Sequence, residues 1–584
     1  MKNVNIKING MDFEVPSNYT VLEACKKANI DIPTLCYLKE INETGACRMC
    51  VVEVEGARSL QASCVLKVRE GMNVKTNTKR VINSRTTTLE LLLANHNKDC
   101  LKCNRNGKCE LQDLSERFHI RDIYFDSFEK RTPHYDDSSV SIVRDQSKCI
   151  LCGRCVSACQ KVAGMGILTY INRGFEAVVG TGFNYKLEEA GCIYCGQCIN
   201  VCPVGALKEK SHIDQVWDAI NNPNVHVVVQ TAPAVRASIG EEFGLEMGTR
   251  ATGKMVAAIK RLGVDKVFDT NFAADLTIME EGYELLDRIQ NNGVLPMLTS
   301  CSPGWIRLIE QYYPEFIHNL SSCKSPHQMF GAIIKSYYAE KANIDPKDIF
   351  VVSVMPCSAK KSEMNRDEME VNGLRDVDAV LTTREISNII REAGIRFNEL
   401  EDEEFDNPLG EYSGAGVIFG ATGGVMEAAL RTVADILENK DLDDFEYNNV
   451  RGIEGIKEAS IELGGKTVNI AVAHGGENAK KLMDMIKSGE KEYHFVEIMG
   501  CSGGCVNGGG QPYVKASIRN SGVDIRLARA KALYEEDEIK QVRKSHQNKQ
   551  IQLLYKEFLE KPNSHKSHEL LHTHYKKQEI FPIS

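Results

Sequence analysis

The chain has 584 residues, 42% hydrophobic and 26% charged, too long for one hydrophobic core and ordinary in composition for a globular protein of several domains. No apolar run of about 18 residues exists to span a bilayer, and the start MKNVNIKINGMDFEV lacks the basic-then-apolar layout of a secretory signal, so a cytoplasmic protein without membrane attachment is expected. A formal net charge of -9 argues against general nucleic-acid binding.

Of 21 cysteines, sixteen precede residue 203 and five follow. In a large chain without a secretory signal, close Cys pairs more often bind metal than form disulfides. Val4, Ile6 and Ile8 alternate with polar residues, Asn9-Gly10 is a hairpin turn, and Met11, Phe13 and Val15 resume the alternation. Thr20-x-x-Glu23 caps a short helix, within which Cys25 reads as core packing. Cys36, Cys47, Cys50 and Cys64 then give C-x10-C-x2-C-x13-C, a close pair with two distant ligands able to wrap one 2Fe-2S cluster; zinc is the alternative. This unit, residues 1–80, resembles the β-grasp 2Fe-2S ferredoxin module of complex I's large iron-sulfur subunit and of multi-cluster hydrogenases.

Residues 81–125 open with a helical stretch, SRTTTLELLLANH, that leads into His96-x3-Cys100-x2-Cys103-x5-Cys109. Taken alone, one imidazole and three thiolates suit a structural zinc equally well. Between ferredoxin-like modules the set resembles the 4Fe-4S site with one His and three Cys ligands of the same two families, and a neutral His ligand is expected to raise that cluster's potential.

Residues 126–210 carry two copies of the bacterial 4Fe-4S run, Cys149-x2-Cys152-x2-Cys155-x3-Cys159 and Cys192-x2-Cys195-x2-Cys198-x3-Cys202-Pro203. The fourth Cys of each run ligates the other cluster, so Cys149, Cys152, Cys155 and Cys202 form one set and Cys192, Cys195, Cys198 and Cys159 the other. Four such clusters imply an electron wire from a surface partner to a buried reaction.

From 211 to 584, strand-length apolar runs (Val225-Val229, Val351-Met355, Val417-Phe419, Val468-Val472, Phe495-Met499) alternate with helical stretches such as Thr277-Asn291 and Val425-Leu437. The expectation is a large α/β domain, with ligands gathering where strands end in loops. The rare cysteines sit at those ends: Cys301 in PMLTSCSPGW, Cys357 in VVSVMPCSAKK, and Cys501 and Cys505 in EIMGCSGGCVNGGG.

These stretches resemble the FeFe-hydrogenases, whose motifs are TSCCPxW (here Thr299 to Trp305), MPCxxKxxE (here Met355 to Glu363, with Lys360) and a Gly-rich C-x3-C. With the N-terminal modules the likeness covers nearly the entire chain and points to the clostridial multi-cluster, anaerobic type. It implies ferredoxin-linked hydrogen metabolism at an H-cluster, a 4Fe-4S cubane bonded to a di-iron unit carrying CO, CN and azadithiolate. In addition it implies that Cys357, Cys501 and Cys505 hold the cubane, with Cys505 as the bridge, and that Lys360 holds a cyanide. Pro233, Met355, Phe419 and Met499 match the pocket wall, for which plain core packing is the alternative. The implied proton path runs through Cys301, Glu281, Ser321 and Glu284 to Arg288, with Glu281 and Glu284 on one helical face.

One position departs from the family. The second Cys of TSCCP is a cubane ligand, and here it is Ser302; one 2Fe-2S cluster, three 4Fe-4S clusters and the cubane need twenty ligands, and the matching residues supply nineteen. Ser302 ligation is preferred over a shift of Cys301 into the ligand role or an external ligand. Cys25, Cys301 and Cys323 are left over, Cys323 reading as a small buried side chain. Implied partners are ferredoxin or flavodoxin and the H-cluster maturation proteins; the basic stretch 67–85 (Lys67, Arg69, Lys75, Lys79, Arg80 and Arg85) reads first as a solvated face, with docking of an acidic carrier as the alternative. The alternatives are a complex I or formate dehydrogenase-like subunit, which leaves MPCSAKKSE and CSGGC without purpose, and an iron-sulfur scaffold or hydrogen sensor with an altered H-cluster.

Overall fold

The computed structural model describes residues 2–125, 135–443, 445–463 and 465–581; the opening of the expected 126–210 unit, residues 126–134, lies outside them. Strands Asn3–Ile8 and Met11–Pro16 pair antiparallel. Asn9 and Gly10 between them both have positive φ, 52° and 88°, as a two-residue hairpin requires. Asn73–Lys75 joins the first strand in parallel, and Val51–Val54 and Gln61–Ala62 complete a five-stranded β-grasp sheet. Thr20 and Glu23 form the expected capping box on the helix Val21–Lys27, which buries Cys25 completely in the core of this unit.

The helix Lys79–Ala94 starts at its Thr78 cap, buries Val81, Arg85, Leu89 and Leu93, and ends just before His96. In the two-cluster unit the short helices Arg154–Ser157 and Gln197–Val201 both begin after a glycine with positive φ, Gly153 at 79° and Gly196 at 68°. These glycines turn the chain sharply, so that the third Cys of each run, Cys155 and Cys198, enters the first helical turn.

The remainder is built on two four-stranded sheets. One is fully parallel, in the order Lys266–Asp269, His226–Thr231, Ile349–Met355, Ala379–Thr382. The other runs Met297–Leu298, Phe495–Met499, Lys466–His474, Ile456–Leu463, parallel except for its last pair. Apolar runs such as Val227–Val229 and Val351–Val352 are buried on both faces, as parallel strands covered by helices must be. The 21-residue helix Thr270–Gln290 packs against the helices Pro326–Ile333 and Gly424–Glu438.

Val417-Phe419 is not a strand. Ser413 caps a short helix, Gly414–Ile418, by accepting a hydrogen bond from Gly416 N. A Cβ on Gly416 would lie 2.6 Å from the backbone oxygen of Asn271, so the glycines let this helix press against its neighbour. A three-residue apolar run cannot by itself separate strand from buried helix. Among the described residues no helix is long and apolar enough to cross a membrane.

Candidate functional site

The sheets aim their strand ends at one region. Thr231 leads to Pro233, Met355 to Cys357, Leu298 to Cys301 and Ser302, and Met499 to Cys501 and Cys505. Pro233, Met355, Phe419 and Met499 are all buried, the last three at 3–5% exposure. Burial pushes the thiols of Cys357 and Cys501 up and that of Cys505 to about 12, and Cys357 adds to the rise at the other two. Thiolates so placed need a compensating cation.

Glycines let the backbone loops close on this region. A Cβ on Gly504 would meet Thr422 N at 2.6 Å, and one on Gly510 would meet Cys357 N at 3.1 Å. The Lys360 ammonium donates to Ser325 Oγ (2.7 Å), Glu363 Oε2 (2.8 Å) and the Cys301 carbonyl (3.2 Å). Burial works to raise the Glu363 carboxyl, but Lys360 and His327 hold it down at about 2. His327 bridges Glu363 and Ser353 through its two ring nitrogens, at 2.5 and 3.0 Å.

Adjacent residues 301 and 302 face different neighbours. Ser302 Oγ accepts from Gly500 N at 3.0 Å, one residue before Cys501. Burial pushes the Cys301 thiol well up, and Glu281, then Cys505, add to it. Beyond Glu281, Ser321 Oγ donates to Glu284 Oε2 at 2.8 Å, and Arg288 Nη2 donates to Glu284 Oε1 at 2.6 Å. Glu281 is 2% exposed; burial, followed by the nearby Glu284 charge, raises its carboxyl to about 8. The five residues of the expected path are thus brought into one sequence of neighbours.

The N-terminal ligand sets also assemble. Cys50 and Cys64 sulfurs are 3.3 Å apart, and Cys36 Sγ accepts from Cys47 N at 3.5 Å. One cavity is lined by His96, Cys100, Cys103 and Cys109 together, and another by Cys149, Cys152, Cys155 and Cys202, the set drawn from both runs. His96 Nδ1 is buried without a hydrogen-bond partner, and burial lowers the imidazole to about 4, leaving it neutral. That is the state a metal ligand requires.

Comparison with known proteins matches residues 225–509 to the C-terminal domain of the iron-only hydrogenase large subunit and 523–578 to the iron hydrogenase small subunit. The chain is 47% identical to iron hydrogenase 1 of Clostridium pasteurianum, over 98% of this chain and 100% of that protein. The chain belongs to the FeFe-hydrogenase family. This hydrogenase is also 50% identical to the NADP-reducing hydrogenase subunit HndD of Solidesulfovibrio fructosivorans, over 99% of its own length and 100% of that subunit. A solved structure of stepwise FeFe-hydrogenase H-cluster assembly in HydA(deltaEFG) superposes with a TM-score of 0.56 at 45% identity, covering 63% of this chain and 99% of that one.

The hydrogenase is accordingly an oxidoreductase acting on H2, with an H-cluster domain and iron-sulfur centres ahead of it. Residues 1–79 match a 2Fe-2S cluster-binding domain, 85–123 the iron-sulfur region of NADH-ubiquinone oxidoreductase G, and 148–206 a 4Fe-4S dicluster domain. Full-length identity to hydrogenases leaves the scaffold or sensor alternative unfavoured. The donor sets fit the groups the family implies: neutral His96 with three cysteines, and the half-buried Cys357, Cys501 and Cys505 beside the Lys360 ammonium.

How the hydrogenase's cluster sites are joined was not legible in the sequence. Asn42 Nδ2 donates to both Cys36 O (2.8 Å) and Cys152 O (3.1 Å), tying the 2Fe-2S loop to the first 4Fe-4S run. On the His module's side, a Cβ on Gly205 would lie 2.5 Å from Cys103 Sγ, and Asn97 N donates to Ser147 O at 2.9 Å. Both outer sites therefore abut the Cys149, Cys152, Cys155 and Cys202 set. The other set is knit to the H-cluster loops: Gln197 Nε2 donates to Asn507 O, Asn200 Nδ2 to Gly508 O and Ser358 Oγ to Tyr194 O, at 2.7–3.0 Å.

Buried Arg154 makes a two-bond pair with Glu110, at 2.8 and 2.9 Å, and donates to Cys36 O at 3.3 Å, joining three units at once. In the basic stretch the structure corrects one residue. Lys67, Arg69, Lys75, Lys79 and Arg80 are exposed, but Arg85 is 4% exposed and donates to Val51 O, so it offers nothing to a partner.

Proposed function

We infer that this FeFe-hydrogenase catalyses 2H+ + 2 reduced ferredoxin ⇌ H2 + 2 oxidised ferredoxin, with flavodoxin as an equivalent carrier. The observation that carries the reading is the convergence of Cys357, Cys501 and Cys505 with the Lys360 ammonium at the strand ends of two sheets, beside the Cys301 thiol. Cys357, Cys501 and Cys505 would hold the cubane, with Cys505 bridging to a di-iron unit carrying CO, CN and azadithiolate. Bound there, the H-cluster supplies the low-valent metal and the pendant amine at which hydrogen is made or split.

The chain's own residues do the rest. Pro233, Met355, Phe419 and Met499 exclude water by covering the site with apolar surface. Lys360, fixed by Glu363 and Ser325, offers a charge-assisted hydrogen bond to a cyanide. Cys301, Glu281, Ser321 and Glu284 move protons, and Arg288 holds the outer carboxylate in place. Ser302 is read as the fourth cubane ligand through its oxygen. Its Oγ lies beside Gly500 and Cys501, which supports that reading, while Cys301 keeps Glu281 as its foremost charged neighbour.

Four N-terminal clusters, one 2Fe-2S and three 4Fe-4S, on units 1–80, 81–125 and 126–210, complete the reading ahead of the H-cluster unit 211–584. The four N-terminal ligand sets are Cys36, Cys47, Cys50 and Cys64; His96, Cys100, Cys103 and Cys109; Cys149, Cys152, Cys155 and Cys202; and Cys192, Cys195, Cys198 and Cys159. H-cluster maturation proteins would load the di-iron unit. Close cysteine pairs read as iron ligands rather than disulfides suit a reducing, cytoplasmic compartment. The deciding experiment is infrared spectroscopy of the matured protein with hydrogen evolution from reduced ferredoxin. Iron-bound CO and cyanide bands together with turnover are expected, and their absence sinks the reading.

A further inference from the structure

Arg105 is a buried cation without an ionic partner among the described residues. It lies in the loop between Cys103 and Cys109, is 3% exposed, and keeps Nε and Nη1 buried without an acceptor. Its guanidinium carbon sits over the Tyr513 ring, 3.8 Å from the centroid. A ring face attracts a cation but leaves its N–H bonds unmet and its charge uncancelled. Neighbouring arginines are placed differently. Arg384, 4.5 Å from the same centroid, holds both Glu209 oxygens at 3.0 Å and donates to Asn200 Oδ1 and Gly509 O. Arg154 takes both oxygens of Glu110, the carboxylate that also feels the Arg105 charge.

This arginine stands where two cluster sites share a wall. Gly205 lines the cavity of His96, Cys100, Cys103 and Cys109, while Val204 and Ala206 line that of Cys149, Cys152, Cys155 and Cys202, so the strip 204–206 separates them. The strip is pinned to the loop that carries Arg105. Glu110 N donates to Pro203 O at 3.0 Å, and a Cβ on Gly205 would meet Cys103 Sγ at 2.5 Å and Asn104 Oδ1 at 2.9 Å. The Arg105 charge acts on both sides, at Cys109 on its own loop and at Cys202 across the strip.

A buried charge is kept only where something compensates it. Glu110 and Glu209 are already taken, which leaves the two ligand sets. Iron-sulfur clusters bound by thiolates are anionic, gain one more negative charge on reduction, and have potentials set by net charge and by hydrogen bonds to their sulfurs. We propose that Arg105 is the shared counter-charge of the clusters on His96, Cys100, Cys103 and Cys109 and on Cys149, Cys152, Cys155 and Cys202, and that it favours the reduced form of each. Each reduction takes one electron from reduced ferredoxin, which is oxidised by that electron; no bond of Arg105 changes. This role rests on the ligand sets of the proposed function.

The test is a redox titration of the matured full-length enzyme followed by EPR, with iron content measured alongside. Arg105→Met keeps the stem on Tyr513 and removes the charge, Arg105→Gln keeps N–H donors without the charge, and Arg105→Lys keeps the charge. Two of the three N-terminal 4Fe-4S signals, one of them carrying histidine nitrogen hyperfine coupling, are expected to move. At fixed potential both neutral variants should lower the reduced-to-oxidised ratio of these two by about tenfold or more, a fall of about 59 mV, while Arg105→Lys stays within about threefold of wild type. The 2Fe-2S cluster, beside Arg154 instead, should titrate unchanged. Unmoved potentials in the neutral variants, or an equal shift in Arg105→Lys, overturn the counter-charge. If the neutral variants lose iron, Arg105→Lys decides: iron and potentials retained uphold it, and iron lost there too makes Arg105 a packing residue and overturns it. A wild type without histidine nitrogen coupling refutes the ligand sets, and the counter-charge with them.

Discussion

Replacing Glu281 by Gln tests the relay where the structure gives the largest perturbation. Burial, then the Glu284 charge, lifts the Glu281 carboxyl from 4.5 to about 8. At about 1.4 kcal/mol per pH unit this favours the neutral form by roughly 5 kcal/mol. Below about 8 the group is therefore a neutral acid, able to pass a proton to Cys301 and to be recharged from Ser321 and Glu284. Gln keeps the shape and cannot carry the proton, so turnover is expected to fall by about 100- to 10,000-fold, the usual contribution of a positioned acid–base group. Infrared bands of the iron-bound CO and cyanide should not move.

The same shift fixes a stability signature. The unfolded carboxyl ionises above 4.5 while the folded one stays protonated to about 8, so this group's stabilisation is complete below 4.5 and is lost as pH rises to about 8. Glu281→Gln has no such loss. Its resistance to thermal inactivation relative to wild type should grow by about 1.4 kcal/mol per pH unit between about pH 5 and pH 8 and then level off. Wild-type turnover in this pH series should decline as pH passes about 8. A Glu281→Gln enzyme with wild-type turnover, or a stability difference that ignores pH, refutes the assignment.

Ser302→Cys should replace a hard oxygen with a thiolate at the Gly500–Cys501 corner, changing the cubane EPR signal and its ease of reduction; an unchanged signal and rate contradict the proposed ligation. Arg154→Met strands the buried Glu110 carboxylate and should destabilise the joint between the N-terminal units by roughly 3–5 kcal/mol, read as faster cluster loss on heating. Retention of all clusters at the wild-type rate would count against that joint. Lys75→Glu with Lys79→Glu reverses charge on an exposed face, so KM for reduced ferredoxin should rise and its salt dependence weaken, while turnover with a viologen stays constant. Identical ferredoxin kinetics in the double variant would remove this face from the docking surface.

Local pattern determined a great deal. The Asn9-Gly10 hairpin and the Thr20 capping box depend on residues a few positions apart, and they form as their spacing requires. The candidate ligand residues stood out for the same reason, because close cysteine pairs and runs are visible in short spacing. Cys357, Cys501 and Cys505 stood out as rare cysteines following apolar strands, and those strands do end at them.

Tertiary structure decided what the covering surfaces are. Val417-Phe419 carries the apolar residues of a buried strand, yet helical neighbours take it as a helix, and Arg85 reads as a surface charge until its own helix folds it against Val51. The loop contacts at Asn42 and Gly205, the Arg154–Glu110 joint, and the meeting of Glu284, Cys323 and His572 all join residues far apart in sequence. The sequence by itself determined which side chains could hold iron, because ligand chemistry and short spacing are local properties. Which loops touch, and therefore which candidate ligand runs lie side by side, was decided by long-range packing that no local pattern encodes.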